Sequence, residues 1–258
     1  LKHNTDGTLL SGAKRIKYQG KPVLHHLGIS CFSDFAVCHR RSLVPVSSEL
    51  DPSIQAVFGC AVLTGCGAVL NTAKLRAGED VAIVGLGGVG LAGLLGAVAG
   101  GAKNIIAIDA NPEKEAVARE LGADHFVNSR DPDAASQVRS LSQGGVALAA
   151  EFAGVMPALD LAIEVTRRGG RTVTAALPNP TDRLSLAAAR LVTEERTLLG
   201  SYVGSCVPSR DIPNFMALHK KGKLPVDRMI SHRISLTEIN ESMERLAAGQ
   251  AIRQIICF

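Results

Sequence analysis

Two spacings of apolar residues alternate through the middle of this chain. Short unbroken runs such as Val81-Ala-Ile-Val84, Asn104-Ile-Ile-Ala-Ile-Asp109 and Val146-Ala-Leu-Ala-Ala-Glu-Phe152 predict strands buried on both faces. Between them lie stretches with helical spacing: Leu91 to Val98, Pro112 to Leu121 ended by Gly122, Pro132 to Ser142, and Met156 to Arg167 stopped at Gly169-Gly170. Further strands are predicted at His125 to Asn128, Arg171 to Leu177 and Thr197 to Val203. Six strands alternating with helices define an α/β fold, a Rossmann-type doubly wound parallel sheet in the order 3-2-1-4-5-6.

The flanks read differently. Residues 1 to 24 are loop and short strand, Ser30 to Cys38 alternates in a β-like way, and Ser42 to Ser47 reads as a short strand with an edge Pro45. Asp51-Pro52-Ser53 starts a helix, and the apolar run Phe58 to Ala73 carries helical character to the turn at Arg76 to Glu79. Beyond Val203 the pattern predicts a helix (Ser209 to Lys221), a strand (Met229 to Leu236), a helix (Thr237 to Ala248) and a closing strand (Ile252 to Phe258). That tail is too short for its own core. It should pack with residues 1–61, leaving 62–202 as an inserted nucleotide domain and 203–258 as a return segment.

The chemistry concentrates after the strand at Val84. Gly85, Gly87 and Gly90 have the G-x-G-x-x-G spacing: the first allows a tight turn, the second a close backbone approach to a pyrophosphate, the third close helix packing. The following helix aims unpaired N–H groups and its positive dipole end at the phosphates. Asp109 ends the next strand, at roughly the 20-residue distance expected of a ribose ligand. It would accept hydrogen bonds from ribose hydroxyls and repel a 2′-phosphate, favouring NAD over NADP. Asn111, Pro112 and Glu113 form a good N-cap series for the next helix, which leaves Asp109 for a ligand.

Composition narrows the class. The 258 residues are 46% hydrophobic and 20% charged, the balance of a soluble globular protein. The net charge of +4 is scattered, and the basic pairs Arg40-Arg41 and Lys220-Lys221 have no aromatic residues between them, which argues against a nucleic-acid surface. Glycines break the apolar stretch Val81 to Ala99, so a helix on a sheet explains it better than a membrane span. The polar N-terminus has no apolar signal core and no Met, so the chain is expected to begin partway through something longer. Cys31, Cys38, Cys60, Cys66, Cys206 and Cys257 form no C-x-x-C pair and read as free thiols in a reducing cytoplasm. The adjacent His25 and His26 have no third ligand nearby and read as packing or hydrogen-bonding residues.

Four stretches together resemble the zinc-containing medium-chain alcohol dehydrogenases in order and spacing: Phe58-Gly-Cys-Ala-Val-Leu-Thr-Gly-Cys-Gly-Ala-Val, Val84-Gly-Leu-Gly-Gly-Val-Gly-Leu, Ile106-Ala-Ile-Asp-Ala-Asn-Pro-Glu-Lys114 and Ala251-Ile-Arg-Gln-Ile-Ile-Cys-Phe258. Lys21 to Gly28 and Phe32 to Phe35 also look like that family, nearest its class III and benzyl alcohol dehydrogenase-like branches. The resemblance implies a Rossmann domain inserted in a GroES-like catalytic domain, incomplete here. It assigns the pyrophosphate to Gly85, Leu86, Gly87, Gly88, Val89 and Gly90 and the adenosine ribose to Asp109 and Lys114. Thr64 and Val89 would lie against the nicotinamide, Ala175, Ala176 and Leu177 against its carboxamide, Arg253 on the pyrophosphate, and Phe32 in the alcohol pocket. Cys60 would ligate catalytic zinc, and Cys60 and Thr64 are the catalytic candidates.

The implied activity is oxidation of an alcohol to an aldehyde or ketone, and its reverse, with hydride passing to NAD from a zinc-bound alkoxide. The implied assembly is a homodimer or tetramer paired through Thr197 to Val203. The family's other zinc ligands, its proton relay and its four-cysteine lobe would lie before Leu1. Leu1-Lys-His-Asn looks like the segment directly after that lobe. One thiolate cannot repay the dehydration of Zn²⁺, so the chain is expected to hold no catalytic zinc tightly and to be inactive alone; metal analysis finding one zinc per chain would refute this. The competing reading is a non-catalytic NAD(H)-binding module or assembly subunit.

Overall fold

The computed structural model describes residues 6–46 and 49–258. They fall into two compact units, Leu1–Ser47 with His232–Phe258, and Ser48–Ser231. The expected divisions at 61/62 and 202/203 fall elsewhere. The helix before the glycine turn and the helix after residue 203 both pack inside the larger unit, where Phe58 meets His219 edge-to-face at 6.1 Å.

The larger unit is built on six parallel strands: β3 (Asp80–Val84), β4 (Asn104–Asp109), β5 (His125–Asn128), β6 (Val146–Glu151), β7 (Thr166–Thr174) and β8 (Thr197–Gly200). Their spatial order, β5-β4-β3-β6-β7-β8, is the doubly wound arrangement that the alternation of strands and helices predicts. Both faces of the sheet are covered. Ala82 and Val84 of β3 join a buried cluster with Val138, Ala158, Ala162 and Val165. Val81 and Ile83 point the other way and are equally buried.

Helix α1 runs from Pro52 to Thr72. Asp51 caps it, its carboxylate accepting the Ser53 N–H at 2.7 Å, and Pro52 takes the first position, where no N–H is needed. Phe58–Val62 and Ala68–Thr72 are wound as wider π-helical turns. Although α1 is long and apolar enough to cross a membrane, most of it is buried. It packs on α2 (Gly88–Ala99), where a Cβ on Gly65 would sit 2.2 Å from the Val89 carbonyl oxygen. The other helices of this unit are α3 (Lys114–Glu120), α4 (Ala134–Leu141), α5 (Met156–Val165), α6 (Ala188–Thr193) and α7 (Pro208–Lys220).

Several predicted boundaries move for identifiable reasons. Helix α2 begins at Gly88, not Leu91, so the glycine motif supplies its first turn. Helix α5 ends at Val165 without using Gly169-Gly170 as a cap. Thr166 turns extended, bonds the Ala162 carbonyl at 2.7 Å and starts β7 five residues early. The two glycines then sit inside a strand whose pairing slips between Val146 and Leu148. Ala175 to Leu177, predicted as strand, lies beyond it, and β8 stops at Gly200 before a 3-10 turn at Val203–Ser205.

The smaller unit has little regular structure. β1 (Lys17–Tyr18) and β2 (Lys21–Pro22) form an antiparallel hairpin over Gln19-Gly20, both at positive φ as a two-residue hairpin turn prefers. β9 (Ile230–Ser235) pairs with β10 (Arg253–Cys257), and α8 (Ile239–Ala247) lies between them in sequence. The predicted strands at Ser30 to Cys38 and Ser42 to Ser47 do not form among the described residues, where only a short 3-10 turn, Arg40–Ser42, is regular. The reading of Leu1-Lys-His-Asn lies outside the described residues. His25 is buried and occupied by hydrogen bonds: Nε2 accepts from the Arg15 N–H at 3.0 Å, and Nδ1 lies 3.3 Å from the Ile29 carbonyl.

Candidate functional site

Parallel pairing brings four strand ends into one row. Val84 is in register with Ile108 and Glu151, and Glu151 with Thr174, so the turns after β3, β4, β6 and β7 meet at one edge of the sheet. In an open α/β sheet that edge is where ligands collect.

The glycine turn has a different constraint at each position. Gly85 is left-handed (φ 88°), and a Cβ there would lie 2.7 Å from the Ala153 nitrogen. A Cβ on Gly90 would lie 1.7 Å from the Gly85 carbonyl oxygen, so no larger residue fits where α2 crosses the turn. Gly87 is the opposite case: exposed, ordinary in backbone, and with nothing within 4 Å of where its Cβ would be. It caps α2, whose first-turn N–H groups belong to Gly88, Val89 and Gly90. The result is a cradle with space above Gly87.

Asp109 is tied directly to this turn. Its Oδ2 accepts the Leu86 N–H at 2.6 Å and its Oδ1 the Asn111 N–H at 2.8 Å. This corrects the expectation that a cap at Asn111 leaves Asp109 free. Asn111 does accept the Glu113 N–H at 3.0 Å, but α3 starts at Lys114 and Asp109 itself holds the bend. A carboxylate offers about four lone-pair sites, so two backbone bonds leave acceptor capacity on both oxygens.

The remaining candidates distribute unevenly. Thr64 lies on α1 beside Gly65, on the stretch that packs against α2 at Val89. Ala175 and Ala176 are half-buried at the sheet edge, next to Gly154, while Leu177 is exposed. Lys114 opens α3. Arg253 is on β10 and Phe32 lines an open cavity of about 730 Å³, both in the smaller unit. Cys60 is exposed on the first π-helical turn. Among the described residues no group of three or more His, Cys, Asp or Glu side chains is placed to hold a metal ion. The thiols of Cys66 and Cys206 are pushed upward, Cys206 to about 11, first by burial, and serve as packing groups.

One polar residue of this edge escaped the sequence reading. Glu151 is almost wholly buried, yet its carboxylate accepts the Ala153 and Gly154 N–H groups at 2.7 Å each and the Thr174 hydroxyl at 2.6 Å. Its signal was present: an acid closing the otherwise apolar strand Val146-Ala-Leu-Ala-Ala-Glu151.

Comparison with known proteins matches residues 88–221 to the family of zinc-binding dehydrogenases. Alcohol dehydrogenase 1 of Petunia hybrida is 34% identical over 262 residues, covering 99% of this chain and 68% of that protein. The chain belongs to the zinc-binding dehydrogenase family. Among solved structures, an alcohol dehydrogenase zinc-binding domain protein from Burkholderia ambifaria superposes with a TM-score of 0.92 at 29% identity, over 98% of this chain and 69% of that one. Benzyl alcohol dehydrogenase from Acinetobacter calcoaceticus gives 0.87 at 28% identity, over 90% and 64%. As a member of this dehydrogenase family the chain carries its doubly wound sheet and glycine turn. The family does not favour the reading of a non-catalytic module.

Proposed function

We propose that this dehydrogenase chain binds NAD(H) along the edge of the sheet in an enzyme that oxidises an alcohol to an aldehyde or ketone, and reverses that reaction. The bond from Asp109 to the Leu86 N–H, beside the open space at Gly87, carries the reading. The N–H groups opening α2 would take the pyrophosphate, and the free lone pairs of Asp109 the ribose hydroxyls. Thr64 and Val89, on helices packed together, would flank the nicotinamide, and Ala175 to Leu177 would offer backbone groups to its carboxamide. When bound, the nicotinamide accepts hydride from the alcohol carbon. A 2′-phosphate would meet the Asp109 charge, so NADH should bind tighter than NADPH.

Zinc stands differently. Cys60 supplies at most one of the three protein ligands a catalytic zinc takes, so the described residues do not by themselves fit a tightly held ion. The free cysteines suit a reducing, cytoplasmic setting, and β8, which ends the sheet, would carry the pairing of chains.

The test is Gly87→Asp. Aspartate is a favoured N-cap, Gly87 has ordinary backbone, and a Cβ there meets nothing within 4 Å, so the melting temperature should not fall. Its carboxylate would occupy and repel the phosphate position, and NADH affinity measured by fluorescence titration should drop about tenfold or more. Unchanged affinity would remove the proposal.

A further inference from the structure

Glu151 is an expensive residue where it stands. It is 1% exposed at the end of a strand with every position buried, and the partners its carboxylate has are neutral donors. A carboxyl group so placed needs several good donors. It has three, from two different turns of the sheet edge: the Ala153 and Gly154 N–H groups after β6, and the Thr174 hydroxyl at the end of β7. Its backbone carbonyl also takes the Ala175 N–H at 3.1 Å. The two turns are in contact beyond these bonds, since a Cβ on the left-handed Gly154 would lie 3.3 Å from the Cβ of Ala176.

We infer that Glu151 is a positioning residue for the nicotinamide half of the cofactor site, holding the Ala175 to Leu177 backbone in place by clamping Thr174 and the Ala153-Gly154 turn together. This rests on the dinucleotide reading above. The sheet edge then has two separate anchors. Asp109 fixes the glycine turn through Leu86, on the side assigned to the adenosine and pyrophosphate. Glu151 fixes the turns after β6 and β7. Ala153 also backs Gly85, but the Asp109 bond holds the glycine turn independently of it.

Two anchors predict two separable effects. NADH and ADP-ribose, which lacks the nicotinamide, are titrated by calorimetry into the full chain, into Glu151→Gln and into the milder Thr174→Val. Thr174→Val loses the hydroxyl's bond, and Glu151→Gln replaces the carboxylate by a weaker, neutral acceptor for the Ala153 and Gly154 N–H groups; each should bind NADH about tenfold more weakly, while ADP-ribose affinity stays within about twofold. A merely structural role would weaken both ligands together. Parallel loss of both ligands, or unchanged NADH binding in Thr174→Val, would overturn the inference. Wild-type chain that binds neither ligand would remove the dinucleotide reading, and this inference with it.

Discussion

The larger and smaller units treat their apolar residues in opposite ways. In Ser48–Ser231, leucines of α2 such as Leu91, Leu94 and Leu95 are fully buried together with Ile83, Ile106 and Leu148 of the sheet. In the smaller unit Leu24, Phe32 and Val37 are about 60% exposed, Phe35 is 93% exposed, and the open cavity of about 730 Å³ lies among them. A parallel sheet wrapped by its own crossover helices closes a core from local sequence alone. The loops and two-residue strands of residues 6–46 cannot, and Leu24, Phe32, Phe35 and Val37 stay at the surface.

The sharpest way to test that contrast is to cut side chains from each unit. Leu94→Ala should destabilise the larger unit by about 2–5 kcal/mol, read by denaturant unfolding, because a close-packed site collapses only partly around the void. A loss below about 1 kcal/mol would mean the core is looser than its burial indicates.

A middle-sized effect is expected at the entry to β3, where Glu79 pairs with Arg171 of β7. Burial alone would raise the Glu79 pKa, but the hydrogen bonds and charge of Arg171, with the Arg76 N–H, outweigh it and hold it below its ordinary 4.5. A carboxyl lowered on folding stabilises above its unfolded pKa and loses that stabilisation as pH falls through the lower, folded value. Glu79→Gln should therefore cost about 1 kcal/mol at neutral pH, and the difference from wild type should fade well below pH 4.5. A pH-independent difference would show that shape, not charge, matters there. The smallest effect belongs to the other unit: Phe35→Ser should shift unfolding by no more than about 0.5 kcal/mol.

The same contrast explains what could be read from residues alone. Strands β3 and β4 were legible because unbroken apolar runs ending in a glycine or an acid have few other uses. The alternation of Ser30 to Cys38 looked equally strand-like, but a β pattern needs a surface to cover it, and Phe32 and Phe35 find none. The start of β7 was missed because Thr166 ends α5 by bonding back to Ala162, which no glycine signals. The glycine turn and Asp109 were visible as a motif, while the bond joining them depends on two strands lying side by side. Glu151 was hidden by its context, since it sat inside the predicted strand Val146 to Phe152 and the donors that hold it come from Ala153, Gly154 and Thr174, the last on a different strand.

The widened turn at Phe58–Val62 has a consequence for how α1 serves two masters. Its C-terminal half is packed closely, with Gly65 against the Val89 carbonyl and Gly67 against Cys206, where a Cβ would not fit. Each residue advances a helix by about 100°, so the extra residue in that turn sets the compass bearing of Cys60 independently of the locked half. A chain shortened by one residue there would swing the thiol roughly a quarter of a circle while the far end stayed still. The winding of that turn therefore sets which way this cysteine looks.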